Sequence, residues 1–300
     1  MISILVPSWR AGDRLLRLVA SVERVEETVE VAICDNGGDV EGLPDEVRVI
    51  RPGRNLGFAG GCNALAREAR GEILLFLNPD CEVLGDTVAR LEAFWSKNPG
   101  AGIVGLHLID AAGATQERYA PRALPTLPSL LGEALLSRLA RRRVMPAGLS
   151  GPVGQVAGAA LSVRPEVLAR IGGFDETLWP AWFEDVDLCR RARDAGLAVL
   201  QCGDAKVRHE GGYTRKSLGY EGLVPIYYRN MVRYARKHHG AAGSACLRAA
   251  IALGMELRAG AAMISPGLAG ATRAEAFHAY AAVFTEVILG NRRHHDRLLQ

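Results

Sequence analysis

No two cysteines in this chain form a C-x-x-C pair; Cys34, Cys62, Cys81, Cys189, Cys202 and Cys246 are scattered, most of them inside apolar segments. That spacing excludes a zinc ribbon or a dithiol redox motif and reads as buried free thiols in a reducing compartment. An excess of one charge is missing too: 36 Lys and Arg against 33 Asp and Glu leave a formal +3. With no basic run interleaved with aromatics, nucleic acid is excluded as a partner. There is no G-x-G-x-x-G and no G-x-x-x-x-G-K-[ST], and His209-Glu210 is not part of an H-E-x-x-H. Dinucleotide enzymes, P-loop ATPases and zinc proteases are thereby set aside. Long hydrophobic runs are absent as well. The most apolar late stretch, 245–264, is broken by Arg248, Glu256 and Arg258, which argues against a membrane span. The first residues carry no basic leader and meet Pro7, Trp9 and Arg10 too early for a signal peptide. A cytoplasmic protein is expected, soluble or attached peripherally to the inner membrane face.

What is present is the pattern of an α/β protein. The stretch 73–77, Ile-Leu-Leu-Phe-Leu, is short and apolar throughout, as a strand buried on both faces should be. Further strands are expected at 2–6, 30–34, 47–51, 103–109, 155–163, 197–201 and 205–209. Helices are expected at 13–22, 64–69, 86–97, 166–171 and 184–195. Strands alternating with helices in short units argue for a doubly wound domain with a largely parallel sheet. Between 111 and 152 periodicity is poor and prolines recur, so a variable insertion is expected there. Helices at 223–239, 244–259 and 273–289 close the chain. Arg141-Arg142-Arg143 and the basic stretch 229–239 are either solvated faces or contacts for anionic headgroups or phosphates.

In such a sheet the loops after parallel strands gather at one edge, so Ser8, Asp35, Asn78, Asp80 and His209 can converge despite their separation in sequence. Each has a bland alternative. Asp80, after Asn78-Pro79, is either a turn residue or a ligand for Mg²⁺ or Mn²⁺. His209 is either structural or the nitrogen ligand beside it. Asp35 can bind a ribose or a base, or can close a turn with Asn36-Gly37. The glycines of Asn55-Leu56-Gly57-Phe58-Ala59-Gly60-Gly61-Cys62-Asn63 let backbone approach a ligand, or let a helix pack tightly. Asp185, in Trp182-Phe183-Glu184-Asp185-Val186-Asp187, is a general-base candidate, or caps a helix.

The ordered set is more specific than its members. Pro7-Ser8, Cys34-Asp35-Asn36-Gly37, Asn55 to Asn63, Phe76-Leu77-Asn78-Pro79-Asp80, Gly172-Gly173-Phe174-Asp175-Glu176 and Phe183 to Arg190 resemble, in order and spacing, the family 2 inverting glycosyltransferases of GT-A fold. The resemblance covers about residues 1–240 and is nearest to the bacterial rhamnosyltransferases. It implies a Rossmann-like central mixed sheet flanked by helices. Residues 1–110 would form the nucleotide-sugar-binding half, 153–240 the acceptor and catalytic half, and 241–300 a helical C-terminal extension. By the same resemblance Pro7, Ser8, Asp35, Asn55, Gly57, Asn63 and Asn78 belong to the donor side, and Asp80 and His209 to the metal. Asp185 matches the base, with Trp182 and Glu184 on the acceptor side. Asn78 stands where the family's metal motif has its first acid, and Ser8-Trp9-Arg10 departs from the common Thr-Tyr-Asn.

The activity implied is transfer of rhamnose from dTDP-rhamnose to a cell-envelope glycan or lipid-linked acceptor. A UDP-sugar donor (galactofuranose, N-acetylglucosamine or glucose) and a non-catalytic sugar-nucleotide-binding protein are the alternatives.

Overall fold

The computed structural model describes residues 1–136, 148–264 and 272–290. Strand β1 (Ile2–Ser8) is buried along its whole length and is followed by α1 (Asp13–Val22), β2 (Val29–Asp35) and the short β3 (Arg48–Ile50). Helix α2 (Gly57–Glu68) leads to β4 (Ile73–Leu77), which reverses through Asn78-Pro79-Asp80 into β5 (Cys81–Val83). Helix α3 (Thr87–Lys97) and β6 (Ala101–Ile109) precede a 3₁₀ turn at Glu117–Tyr119 and helix α4 (Leu127–Leu136). Then come β7 (Gly151–Pro152), β8 (Ala160–Val163), α5 (Pro165–Arg170), α6 (Glu184–Asp194) and β9 (Ala198–His209). Helices α7 (Tyr213–Ile264) and α8 (Arg273–Val283) end the described chain, with a π-helical turn at Phe284–Ile288.

The chain forms two compact units. One comprises Met1–Leu124, Arg143–Trp179 and Glu184–Gly211; the other comprises Pro125–Arg142, Pro180–Phe183 and Gly212–Gln300. The first unit is built on a sheet of order β3-β2-β1-β4-β8-β6-β9-β5, with β7 added to β9. Because successive side chains on a strand point to opposite faces, β4 feeds two cores at once. Leu75 and Leu77 join the cluster covered by Leu15, Leu18 and Val22 of α1 and by Leu91 and Trp95 of α3. Leu74 and Phe76 face the cluster closed by Cys62 and Leu65 of α2 and by Leu188 and Ala192 of α6. The one large polar group in the first cluster is satisfied: Trp95 Nε1 donates to Ser162 Oγ at 3.0 Å.

The sheet is mixed, as the resemblance implies, and not largely parallel as the strand–helix alternation alone suggests. β8 runs antiparallel to both of its neighbours, β4 and β6. Two other expectations shift for local reasons. The glycine-rich stretch is itself helical, so α2 starts at Gly57 and not at 64, and a Cβ at Gly61 would lie 2.9 Å from Pro7 Cβ. Its glycines at this point serve close packing of α2 on β1. The strands expected at 197–201 and 205–209 are one element, β9, whose pairing with β6 continues across an irregularity between Leu106 and His107. The region 111–152, expected as a variable insertion, contains the 3₁₀ turn, α4 and β7 among its described residues; Arg141-Arg142-Arg143 lies outside them. All six cysteines are free, and Cys246 alone among them is exposed.

In the second unit α7 is broken by non-helical backbone at Gly219 and Gly240, the latter being where the helical extension was expected to begin. Gly254 is required by a close helix approach, since a Cβ there would meet the Ala134 carbonyl at 2.1 Å. The basic stretch 229–239 is not simply a solvated face. Arg229 is buried, with Nη1 3.8 Å from Glu286, whereas Arg236 and Lys237 are exposed. No helix of the described residues is long and apolar enough to cross a membrane.

Candidate active site at the carboxyl edge of the sheet

Strand direction decides which residues meet. β1, β2 and β4 are parallel, so Ser8, Asp35 and the Asn78-Pro79-Asp80 turn emerge at one edge. β8 opposes β4, β6 opposes β8, and β9 parallels β6, so β9 runs with β4 and delivers His209 to that same edge. β5 then folds back along β9 with Cys81 paired to His209. This register places Asp80 against the imidazole.

Asp80 Oδ1 lies 3.3 Å from His209 Nε2, and both side chains are almost wholly buried. Asp80 Oδ2 accepts the Gly211 N–H at 3.1 Å, and its backbone carbonyl accepts from Glu210 N–H at 2.9 Å. Gly211 has φ +72, a backbone conformation that glycine adopts readily and that turns its N–H onto the carboxylate. Burial by itself would raise the Asp80 carboxyl, but the adjacent His209 imidazole and the Gly211 N–H together bring it below its ordinary value. Asp80 Oδ1 has no hydrogen-bond partner among the described residues. An orphaned buried carboxylate oxygen facing an imidazole nitrogen fits a divalent cation. Cys81 completes a cluster of ligand types within 4.8 Å. Its thiol, however, is pushed well up by burial and donates to the Ala159 carbonyl at 3.3 Å, which makes it a poor ligand for a hard ion.

The remaining donor-side expectations divide by what their polar atoms already do. Asp35 accepts from the N–H groups of Gly37, Gly38, Asp39 and Val40, so its carboxylate closes the loop after β2. Asn55 Oδ1 caps Gly57 N–H at 2.8 Å. Asn63 holds Phe174 by bonds in both directions, 2.8 and 2.9 Å, and also donates to Glu176, so it ties α2 to the Gly172-Gly173-Phe174 turn. Asn78 Nδ2 is 3.4 Å from His209 Nε2. Ser8, in register with Asp35, is fully buried with an unpartnered Oγ.

The three acids of the first turn of α6 have three different fates. Asp187 is buried and paired with Arg191 Nε at 2.7 Å. Glu184 is buried too, but its Oε2 has no hydrogen-bond partner among the described residues; burial, and then the charges of Asp185 and Asp187, push its carboxyl well up. Only Asp185 stays half-exposed, with Oδ2 accepting the Gly158 N–H at 2.9 Å and Oδ1 the Val186 N–H at 2.7 Å.

A family model, "Glycosyl transferase family 2", matches residues 3–154. The chain belongs to this family. Among its relatives is an N-acetylglucosaminyl-diphospho-decaprenol L-rhamnosyltransferase of Mycobacterium tuberculosis, 25% identical over 269 residues, covering 80% of this chain and 86% of that protein. An uncharacterised protein of Sinorhizobium fredii is 29% identical over 238 residues and covers 72% of the chain, which spans only 25% of that longer protein. Among solved structures, a mannosyltransferase from Pyrobaculum calidifontis in complex with GDP-Man and Mn²⁺ superposes with a TM-score of 0.57 at 15% identity, covering 97% of this chain and 88% of that one. It establishes the GT-A fold.

In this family 2 transferase Glu184, expected on the acceptor side, is buried at the start of α6. Trp182, the other acceptor-side residue, is half-buried in the second unit, at positive φ together with Phe183. Asn230 Nδ2 holds that segment through the carbonyls of Ala181 and Trp182. Three contributors escaped the sequence reading: Gln116, Tyr119 and Gly158. Gln116 and Tyr119 lie in the aperiodic region 111–152 and Gly158 inside the strand expected at 155–163, which is found only at Ala160–Val163, so no spacing rule flagged them.

Proposed function

We propose that this chain transfers rhamnose from dTDP-rhamnose to a hydroxyl of a cell-envelope polysaccharide or lipid-linked glycan, with inversion at the anomeric carbon. The observation that carries the reading is the meeting of Asp80 and His209 at the sheet edge, with an orphaned carboxylate oxygen 3.3 Å from Nε2. The relative named as a rhamnosyltransferase supports the sugar and a lipid-diphosphate acceptor, since the two chains align over most of both lengths.

Asp185 is the base in this proposal. Of the three acids at its helix start it is the half-exposed one, and the Gly158 N–H bonded to its Oδ2 orients the carboxylate. Asp80 and His209 would hold Mg²⁺ or Mn²⁺, which supplies positive charge for the departing diphosphate. Pro7, Ser8 and Asn78 border the donor directly, while Asp35, Asn55, Gly57 and Asn63 set the loops around it. Trp182 offers an aromatic surface to the acceptor, and exposed basic residues such as Arg236 and Lys237 suit peripheral contact with anionic lipid.

Thermal stabilisation by a panel of nucleotide sugars, with and without Mn²⁺, tests this. A donor at about a hundred times its dissociation constant adds roughly 2.7 kcal/mol to the folded state. The expected result is a metal-dependent shift with dTDP-rhamnose that Asp80→Ala abolishes. A shift with a UDP-sugar alone replaces rhamnose with that sugar, and retained anomeric configuration in the product overturns the single displacement.

A further inference from the structure

The imidazole of His209 is gripped from behind by a side chain outside every motif of the family pattern. Gln116 Nε2 donates to the His209 backbone carbonyl at 2.7 Å, and Gln116 Oε1 lies 2.8 Å from His209 Nδ1. The first contact fixes which end of the amide is nitrogen, because a carbonyl oxygen only accepts. An amide oxygen also only accepts, so Nδ1 must carry the hydrogen. Gln116 is itself held firmly: its N–H donates to the Leu108 carbonyl at 3.0 Å, at the end of a tight turn whose Thr115 pairs with Ile109 of β6. Tyr119, three residues on, packs edge-on against the imidazole at 4.7 Å and removes the remaining freedom of the ring.

With Nδ1–H committed to Gln116, neutral His209 turns its Nε2 lone pair toward the site, 3.3 Å from Asp80 Oδ1 and within 3.4 Å of the Asn78 amide nitrogen, which donates to it at the edge of hydrogen-bond distance. We propose that Gln116 is a positioning residue that fixes His209 as the Nδ1–H tautomer and so holds Nε2 ready as a ligand for a divalent cation shared with Asp80. This rests on the metal reading of Asp80 and His209 given above. A hydrogen-bond acceptor on the far nitrogen sets both the ring orientation and the basicity of a metal-binding histidine, and losing such a partner typically weakens metal binding about 10–100-fold.

Two measurements on the full chain test it. In ¹⁵N-histidine-labelled, metal-free protein at about pH 8, where an ordinary histidine is neutral, long-range ¹H–¹⁵N correlation reads the His209 tautomer, assigned with His209→Gln. The Nδ1–H form is expected, and an Nε2–H form overturns the proposal without any variant of Gln116. Mn²⁺ binding without donor is then followed by loss of the free-ion electron paramagnetic resonance signal. Gln116→Leu is expected to weaken binding about 10–100-fold, while Gln116→Glu, which keeps an acceptor for Nδ1–H but loses the donor to the His209 carbonyl, recovers part of it. If His209→Ala loses Mn²⁺ but Gln116→Leu does not, the role of Gln116 falls alone. If wild type and His209→Ala bind Mn²⁺ equally, the metal reading fails and takes this inference with it.

Discussion

Asp80 at the β4–β5 turn and Glu184 at the start of α6 are buried to nearly the same degree, 7% and 6% exposed, yet their carboxyls shift in opposite directions. Burial raises both. Asp80 ends below its ordinary value because a histidine and a backbone N–H face it; Glu184 ends well above because its nearest charges are Asp185 and Asp187. Burial therefore does not say what a carboxyl is for, and its neighbours do. One region gathers groups that welcome positive charge, whereas the other disperses its acids: Glu184 is buried with its carboxyl pushed up, Asp187 is paired with Arg191, and Asp185 is half-exposed.

The comparison breaks most decisively at the half-exposed acid. Asp185→Asn keeps an oxygen for the Gly158 N–H, so the fold should stand while kcat falls about 10²–10⁴-fold. Asp187→Asn should do the reverse, leaving Arg191 without its buried partner at a cost of about 3–5 kcal/mol with turnover per folded molecule retained. Steady-state kinetics beside denaturant melts separate the two, and full activity in Asp185→Asn would remove it as the base. A smaller effect is expected at the metal region. Gly211→Ala forces a side chain to φ +72, which should cost about 1–2 kcal/mol in urea melts, and weaken Mn²⁺ binding by tilting the N–H off Asp80.

The smallest effect belongs to Glu184→Gln, and its sign depends on pH. The folded-state value of Glu184 lies above the ordinary 4.5, so its contribution to stability is fully present below that pH and is lost as pH rises toward the folded value. The Gln variant should therefore match the wild type near pH 4 and gain a melting advantage of a few degrees that grows toward neutrality. An advantage independent of pH would mean that Glu184 is not held protonated. Asp80 has the opposite sign: its stabilisation is present above its ordinary 3.8 and disappears as pH falls through the lower folded value.

Much of this was legible from local pattern. Five apolar residues ending at Asn-Pro announced β4 and the turn bearing Asp80, and the order of the motifs pointed to the family. Asn63 and Asp35 illustrate what was not: polar residues in the right places whose hydrogen bonds are absorbed by Phe174 and by the loop at 37–40. Local pattern is enough for most of the strands and helices and for the place of each acid in the chain, because these depend on residues a few positions apart. It took the folded chain to set β9 running with β4, to put Gln116 behind His209, and to push the Glu184 carboxyl up while bringing the Asp80 carboxyl down. Strand direction and the sign of a pKa shift are set by partners that arrive from distant parts of the chain, and no spacing within a motif encodes them.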